Sequence, residues 1–167
     1  MEEIKMNFIE KDLEDVIFES DKKELEKRGL WITGKLYRQL RIGNYGTADL
    51  VEFNRIPRCR GANITIYELK QNEINIDSFL QAIRYAKGIS RYLEFRNVSF
   101  EYEISIILIG KKINDKGSFL YLPDIIPTNI SSLYFLRTFV YAYEYDGIHF
   151  KKEDGYKLTH EGFGYED

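Results

Sequence analysis

Apolar residues at Phe8, Ile9, Leu13, Val16, Ile17 and Leu25 recur at a spacing near 3.6 between Asn7 and about Lys27, which predicts an N-terminal helix. Acids early and basic residues late suit the helix dipole; Ser20 and Asp21 mark a break, and Gly29 a stop. Leu30–Ile42, where Trp31, Tyr37 and Leu40 are separated by polar residues, reads as a first strand followed by a turn at Asn44 and Gly46. Thr47–Phe53 and Ile64–Leu69 are the next strands, joined as an antiparallel hairpin by a loop containing Pro57 and Gly61. Phe79, Ala82, Ile83, Ala86 and Ile89 trace one face of a second helix over Asp77–Leu93, with Asp77 as its cap. The nearly unbroken apolar run Ile104–Ile109 is the pattern of a central strand covered on both faces.

Beyond Lys112 the pattern weakens. Phe119–Leu122 reads as a short strand, Pro123 and Pro127 bound a loop, and Phe139–Tyr145 with Ile148–Phe150 predicts a hairpin turning at Asp146-Gly147. The order predicts an α/β fold in which helices flank a central mixed sheet. We expect a single domain, with a core over about 7–110 and a β-rich C-terminal extension over about 117–163.

A chain of 167 residues fits one domain with a core of useful size. One cysteine, Cys59, and two histidines, His149 and His160, exclude a disulfide framework and a zinc knuckle. The acidic start does not resemble a signal peptide, and no apolar run approaches the ~20 residues that span a bilayer, so a cytoplasmic protein without a membrane partner is expected. The net charge of −3 argues against a polyanionic partner until its distribution is considered. Lys35–Lys112 holds 13 basic and 8 acidic residues, a net +5, while the two ends together carry −8. The segregation permits a positive field over the middle of the chain, although acidic, solvated ends alone explain it equally well.

The middle also holds the candidate chemistry. Asp49 lies in GTADLV, Glu68 and Lys70 in YELK, and Gln81 and Tyr85 in QAIRY. Strand side chains alternate with period two, so Glu68 and Lys70 share a face and Asp49 can meet them from the neighbouring strand. Two carboxylates and the Leu69 carbonyl suit a hard divalent ion, Mg2+ or Mn2+, and Lys70 would stand beside an attacking water or a phosphate oxygen. Phosphodiester hydrolysis requires a nucleophilic water, relief of the charge building at phosphorus and a stabilised leaving oxygen, and a divalent metal can assist all three. Glu10 on the first helix can complete the ligand set, Gln81 and Tyr85 lie one helical turn apart, and Arg84 and Lys87 are placed to hold a nucleic-acid backbone. A lone Glu-x-Lys pair is usually a solvated salt link; it is the ordered set that carries the reading.

These segments, Glu10 to about Ile89, resemble the PD-(D/E)xK, or restriction-endonuclease-like, nuclease superfamily. They look most like its small branch akin to archaeal-type branched-DNA and mismatch endonucleases and to the RecB-like nuclease domains with a Gln-x-x-x-Tyr motif. The resemblance implies Asp49 and Glu68 as metal ligands, Lys70 as catalytic lysine, Glu10 as the first-helix glutamate, and Gln81 with Tyr85 as the helical motif. It also implies a restriction-endonuclease-like core and a metal-dependent nuclease, with DNA the favoured substrate. Ala48 stands where many members carry proline, and Glu14, one turn from Glu10, competes for the first-helix role. Arg55, Arg58 and Arg60 in the hairpin loop are further candidate phosphate contacts. The stripe Phe139, Tyr141, Tyr143 and Tyr145 reads as core or as a homo-oligomer interface, His149 and His160 as surface residues, and Cys59 as an incidental thiol. The rival is a catalytically silent binding or assembly module on the same fold.

Overall fold

The computed structural model describes residues 9–58, 61–114 and 133–153. Cys59, Arg60, the strand expected at Phe119–Leu122, Pro123, Pro127 and His160 lie outside the described residues, as does the start of the first helix before Ile9.

Helix α1 (Glu10–Glu19) and helix α2 (Lys22–Lys27) divide where the sequence predicts a break. Asp21 causes it, accepting from the Lys23 amide at 2.8 Å and capping α2. Gly29 ends α2 with φ 96°, at a point where a Cβ would lie 2.0 Å from the Phe150 carbonyl oxygen, so only glycine lets the chain pass there.

The strands are β1 (Lys35–Arg41), β2 (Thr47–Ile56), β3 (Gly61–Leu69), β4 (Glu73–Ile74), β5 (Glu101–Gly110), β6 (Lys112–Ile113), β7 (Leu133–Glu144) and β8 (Gly147–Lys152). Six of them form one mixed sheet in the order β1-β2-β3-β5-β7-β8, with β4 and β6 a small parallel pair beside it. β2 and β3 form the expected antiparallel hairpin, whereas β3–β5 and β5–β7 are parallel. The crossover between β3 and β5 is α3 (Ile76–Phe95). Its cap is Asn75 in place of Asp77: Asn75 accepts from the Ser78 amide at 3.1 Å while its own amide donates to the Ser78 hydroxyl at 3.3 Å.

Helices lie on both faces. Leu13 and Ile17 of α1 pack with Leu50, Tyr67, Leu69, Ile107 and Ile109 on one side; Phe79, Ala82 and Ala86 of α3 pack with Val51, Ile64, Ile66, Ile104 and Ile106 on the other. Alternation along β3 and β5 thus feeds two cores, and each fully buried Leu or Ile contributes about 1.5–3 kcal/mol. β7 and β8 continue the main sheet: β7 pairs with β5 and sends Phe139 and Tyr141 into the α1-side core. Their turn centres on Tyr145-Asp146, with Gly147 pairing Glu144 at φ 125°, one residue earlier than predicted. β1 begins at Lys35, five residues later than expected, because the Thr33 and Gly34 amides donate to the buried carboxylate of Glu52 instead of to a strand.

Candidate active site

β2 and β3 separate where the predicted residues lie. Their ladder runs from Ile56↔Gly61 to Leu50↔Tyr67, and the next rung would be Asp49↔Glu68. There the Leu69 amide donates to Asp49 Oδ2 at 3.0 Å, so a side chain replaces a backbone partner. On the other edge of β2 the rung opposite Asp49 belongs to Gln39, whose φ of 48° is left-handed and takes it out of the β1–β2 ladder. Asp49 is thereby released from regular pairing on both sides while held by Leu69.

By the pleat, Glu68 falls on the face of Ile64 and Ile66 and is 1 % exposed. Lys70 follows the end of β3, held by its amide to the Ile109 carbonyl at 2.8 Å. Its Nζ lies 2.7 Å from Glu68 Oε1. Glu68 Oε2 is buried and has no hydrogen-bond partner. A buried carboxylate oxygen left this way is costly, and it fits a cation at that position.

The electrostatics agree with the geometry. Burial pushes the Asp49 carboxyl up to about 6, opposed by the Leu69 amide and Lys70 and reinforced by the charges of Glu10 and Glu14. Burial likewise raises Glu68 to about 7, with the nearby Asp49 charge adding to the rise and Lys70 resisting it. Burial alone would lower Lys70, but its hydrogen bond to Glu68 and the charges of Glu68, Glu10 and Asp49 hold the ammonium above its ordinary value. Asp49, Glu68, Lys70 and Glu10 therefore share one field, and perturbed acids of this kind are common at functional sites.

The two first-helix acids have different surroundings. Glu14 is consumed structurally: Oε1 accepts from Arg38 Nε at 2.8 Å and Oε2 from Gln39 Nε2 at 2.5 Å. Glu10, in the first turn of α1, has its charge felt by Asp49, Glu68 and Lys70. Glu10, Asp49 and Glu68 do not close into a tight triplet. Among the described residues, only Glu144, Asp146 and His149, in the exposed β7–β8 turn, bring three ligand atoms within 4.8 Å of one another.

Gln81 Nε2 donates to the Tyr85 hydroxyl at 2.8 Å, and the Arg84 guanidinium sits 5.7 Å from the Tyr85 ring centroid. Tyr85 is buried against the turn that leads into β2: a Cβ on Gly46, at φ 114°, would lie 2.9 Å from Tyr85 Cε1. Lys87 is exposed on α3. Arg55 and Arg58 are also exposed, but at the hairpin's opposite end, Arg55 being six residues or about 20 Å along β2 from Asp49 and Arg58 just beyond the strand. In the aromatic stripe, Phe139 and Tyr141 are core, Tyr143 is 41 % exposed, and Tyr145 is fully exposed in the turn. The Tyr141 hydroxyl donates to the Gln71 carbonyl at 2.5 Å, tying β7 to the segment after Lys70.

Sequence reasoning missed Glu52, 5 % exposed, which accepts from the Thr33 and Gly34 amides and from the Tyr67 hydroxyl at 2.6 Å. Its signal was an acid at a core-strand position. No helix among the described residues is long and apolar enough to cross a membrane. Comparison with protein-family models, with curated proteins and with solved structures found no match for this chain.

Proposed function

We propose that this protein is a metal-dependent nuclease with a restriction-endonuclease-like core, hydrolysing phosphodiester bonds with DNA as its favoured substrate. The observation that carries the reading is the partnerless Glu68 Oε2, buried beside a second acid and a lysine where two strands part. Asp49, Glu68 and the Leu69 carbonyl would hold magnesium or manganese, with Glu10 adding negative charge. When bound, such an ion polarises a phosphoryl oxygen and acidifies a water.

The chain's own residues do the rest. The Leu69 amide orients Asp49, and Lys70, once its hold on Glu68 is shared with a substrate, offers an ammonium to the charge growing on the phosphate. Gln81 and Tyr85 keep the wall formed by α3 in register with the Gly46 turn.

The test incubates labelled linear, circular, single-stranded and flapped nucleic acids with the protein in Mg2+ and Mn2+. Lys70→Ala, Asp49→Ala and Glu68→Ala are each expected to lose at least a hundredfold in rate, the scale of removing one charge-stabilising donor. Full activity in Lys70→Ala would reject the assignment. The silent-module rival draws support from the Lys70–Glu68 pair, which partly neutralises Glu68 without any ion. That rival predicts no calorimetric heat on Mg2+ or Mn2+ titration and no cleavage of any substrate.

A further inference from the structure

An apolar groove of about 750 Å³ opens beside α3, between its second half and the Gly43–Tyr45 turn. Gly88 allows the two to close on one another: a Cβ there would lie 2.6 Å from Ile42 and 2.7 Å from Tyr45. Tyr45, Tyr92 and Phe95 give the groove flat aromatic walls, and Tyr92 and Phe95 remain 60 % and 82 % exposed. Its charged lining residues are Arg41 and Arg91, both cationic, with no carboxylate among the lining. Arg84, Lys87 and Arg91 continue this charge as an exposed stripe at i, i+3 and i+7 toward Tyr85 and the Gly46 turn. Glu94, the acid on this half of the helix, meets the Ser90 hydroxyl at 3.5 Å.

Exposed aromatic rings with cations along one side match a chain of flat bases on an anionic backbone. A duplex keeps its base faces stacked internally and has nothing to place on those rings. We propose that this groove binds unpaired nucleotides and delivers a single strand to the site at Asp49 and Glu68, making the substrate single-stranded or branched. The inference rests on the nuclease reading and names its substrate class. From Gln81 to Phe95 the helix spans about 21 Å, so the track covers several nucleotides.

The test measures fluorescence anisotropy of labelled oligo(dT) and of a blunt duplex of equal length, in EDTA so that nothing is cut. Wild-type protein should prefer oligo(dT), and Tyr92→Ala with Phe95→Ala should weaken that binding at least fivefold, the low end for losing one stacked base, while leaving duplex affinity unchanged. Both side chains are exposed, and a circular-dichroism melt confirms that the variant folds. Should it not, Arg91→Ala serves, with an expected drop of about one in the salt slope for oligo(dT).

Unchanged oligo(dT) affinity in the aromatic variant overturns the proposal. So does sedimentation showing a wild-type dimer that Phe95→Ala dissolves, which would make the groove a self-association surface. Cleavage by wild-type protein and oligo(dT) binding by the groove variants, read together, separate the two readings. If no protein cuts any substrate but the groove variants lose oligo(dT) binding, the nuclease reading falls and the groove stands; if wild-type protein cuts and the groove variants bind and cut single strands normally, the reverse holds.

Discussion

Replacing Glu68 by glutamine removes the charge at the centre of the candidate site while keeping its shape. Glu68 is 1 % exposed, and its carboxyl is raised from 4.5 to about 7 by burial first and by the Asp49 charge second. Because the folded value lies above the unfolded one, the protonated acid is the form that favours folding. That contribution is complete below about pH 4.5 and is lost as pH rises through 7. At 1.36 kcal/mol per unit the ionised form costs the apo protein roughly 3 kcal/mol at pH 8. Glutamine mimics the protonated acid and can turn its carbonyl oxygen to Lys70. Glu68→Gln should therefore be more stable than wild type at pH 8 by up to about 3 kcal/mol, or roughly 6–12 °C in Tm for a chain of this size, and equal to it near pH 4.5. A divalent ion should narrow the gap from the wild-type side, since a ligand at a hundred times its Kd adds about 2.7 kcal/mol. Differential scanning calorimetry at several pH values, with and without Mg2+, measures all of this. A wild-type-minus-variant difference that is flat with pH, or an equal response of both proteins to Mg2+, would refute the reasoning.

Three further substitutions probe the scaffold around the site. Gly46→Ala places a side chain 2.9 Å from Tyr85 at φ 114°, and thermal melts should show a loss of about 1–3 kcal/mol. Tyr67→Phe deprives the buried Glu52 of a donor at 2.6 Å, which should lower stability by about 1–3 kcal/mol at neutral pH in urea titrations; no change would mean that Glu52 is satisfied by the Thr33 and Gly34 amides alone. Arg38→Ala leaves Glu14, 5 % exposed, with Gln39 as its hydrogen-bond partner and should cost about 1.5–3 kcal/mol, with protease cutting first in α1; an intact α1 would show that Leu13 and Ile17 hold the helix without the ion pair.

Elements with strong periodicity were legible. The Ile104–Ile109 run is a strand covered by α1 on one face and α3 on the other, because five apolar residues interrupted only by Ser105 fall on both sides of the pleat and have to be buried on both. The break at Ser20-Asp21 was legible because aspartate competes for backbone amides wherever it stands. Long-range partners decided what was not legible. Leu30–Gly34 has a strand's mixture of apolar and polar residues, yet its Leu30 amide goes back to the Leu25 carbonyl and its Thr33 and Gly34 amides go to Glu52, which lies about twenty positions away in the chain. Asp77 is as good a cap by type as Asn75, and only the reciprocal bond with Ser78 selects the latter.

The same logic divides the candidate site. Asp49, Glu68 and Lys70 come together because hairpin register is local: the turn near Pro57 sets which residue of β2 faces which of β3, so three motif residues suffice to place the cleft. Choosing between Glu10 and Glu14 depends on Arg38 and Gln39, which belong to a different strand and bear no motif. Gln39 has a second effect that spacing cannot reveal, since its left-handed backbone removes the rung opposite Asp49. An unbroken ladder would pair the backbone at Asp49 on both edges and leave the Leu69 amide no reason to seek its carboxylate. Here the strand that supplies Asp49 is loosened on one edge by Gln39 and parted from Glu68 on the other. An ordinary extended backbone at Gln39 would restore the rung opposite Asp49 and close the notch on that edge of β2, leaving the parting from Glu68 as the one remaining gap beside the Asp49 carboxylate.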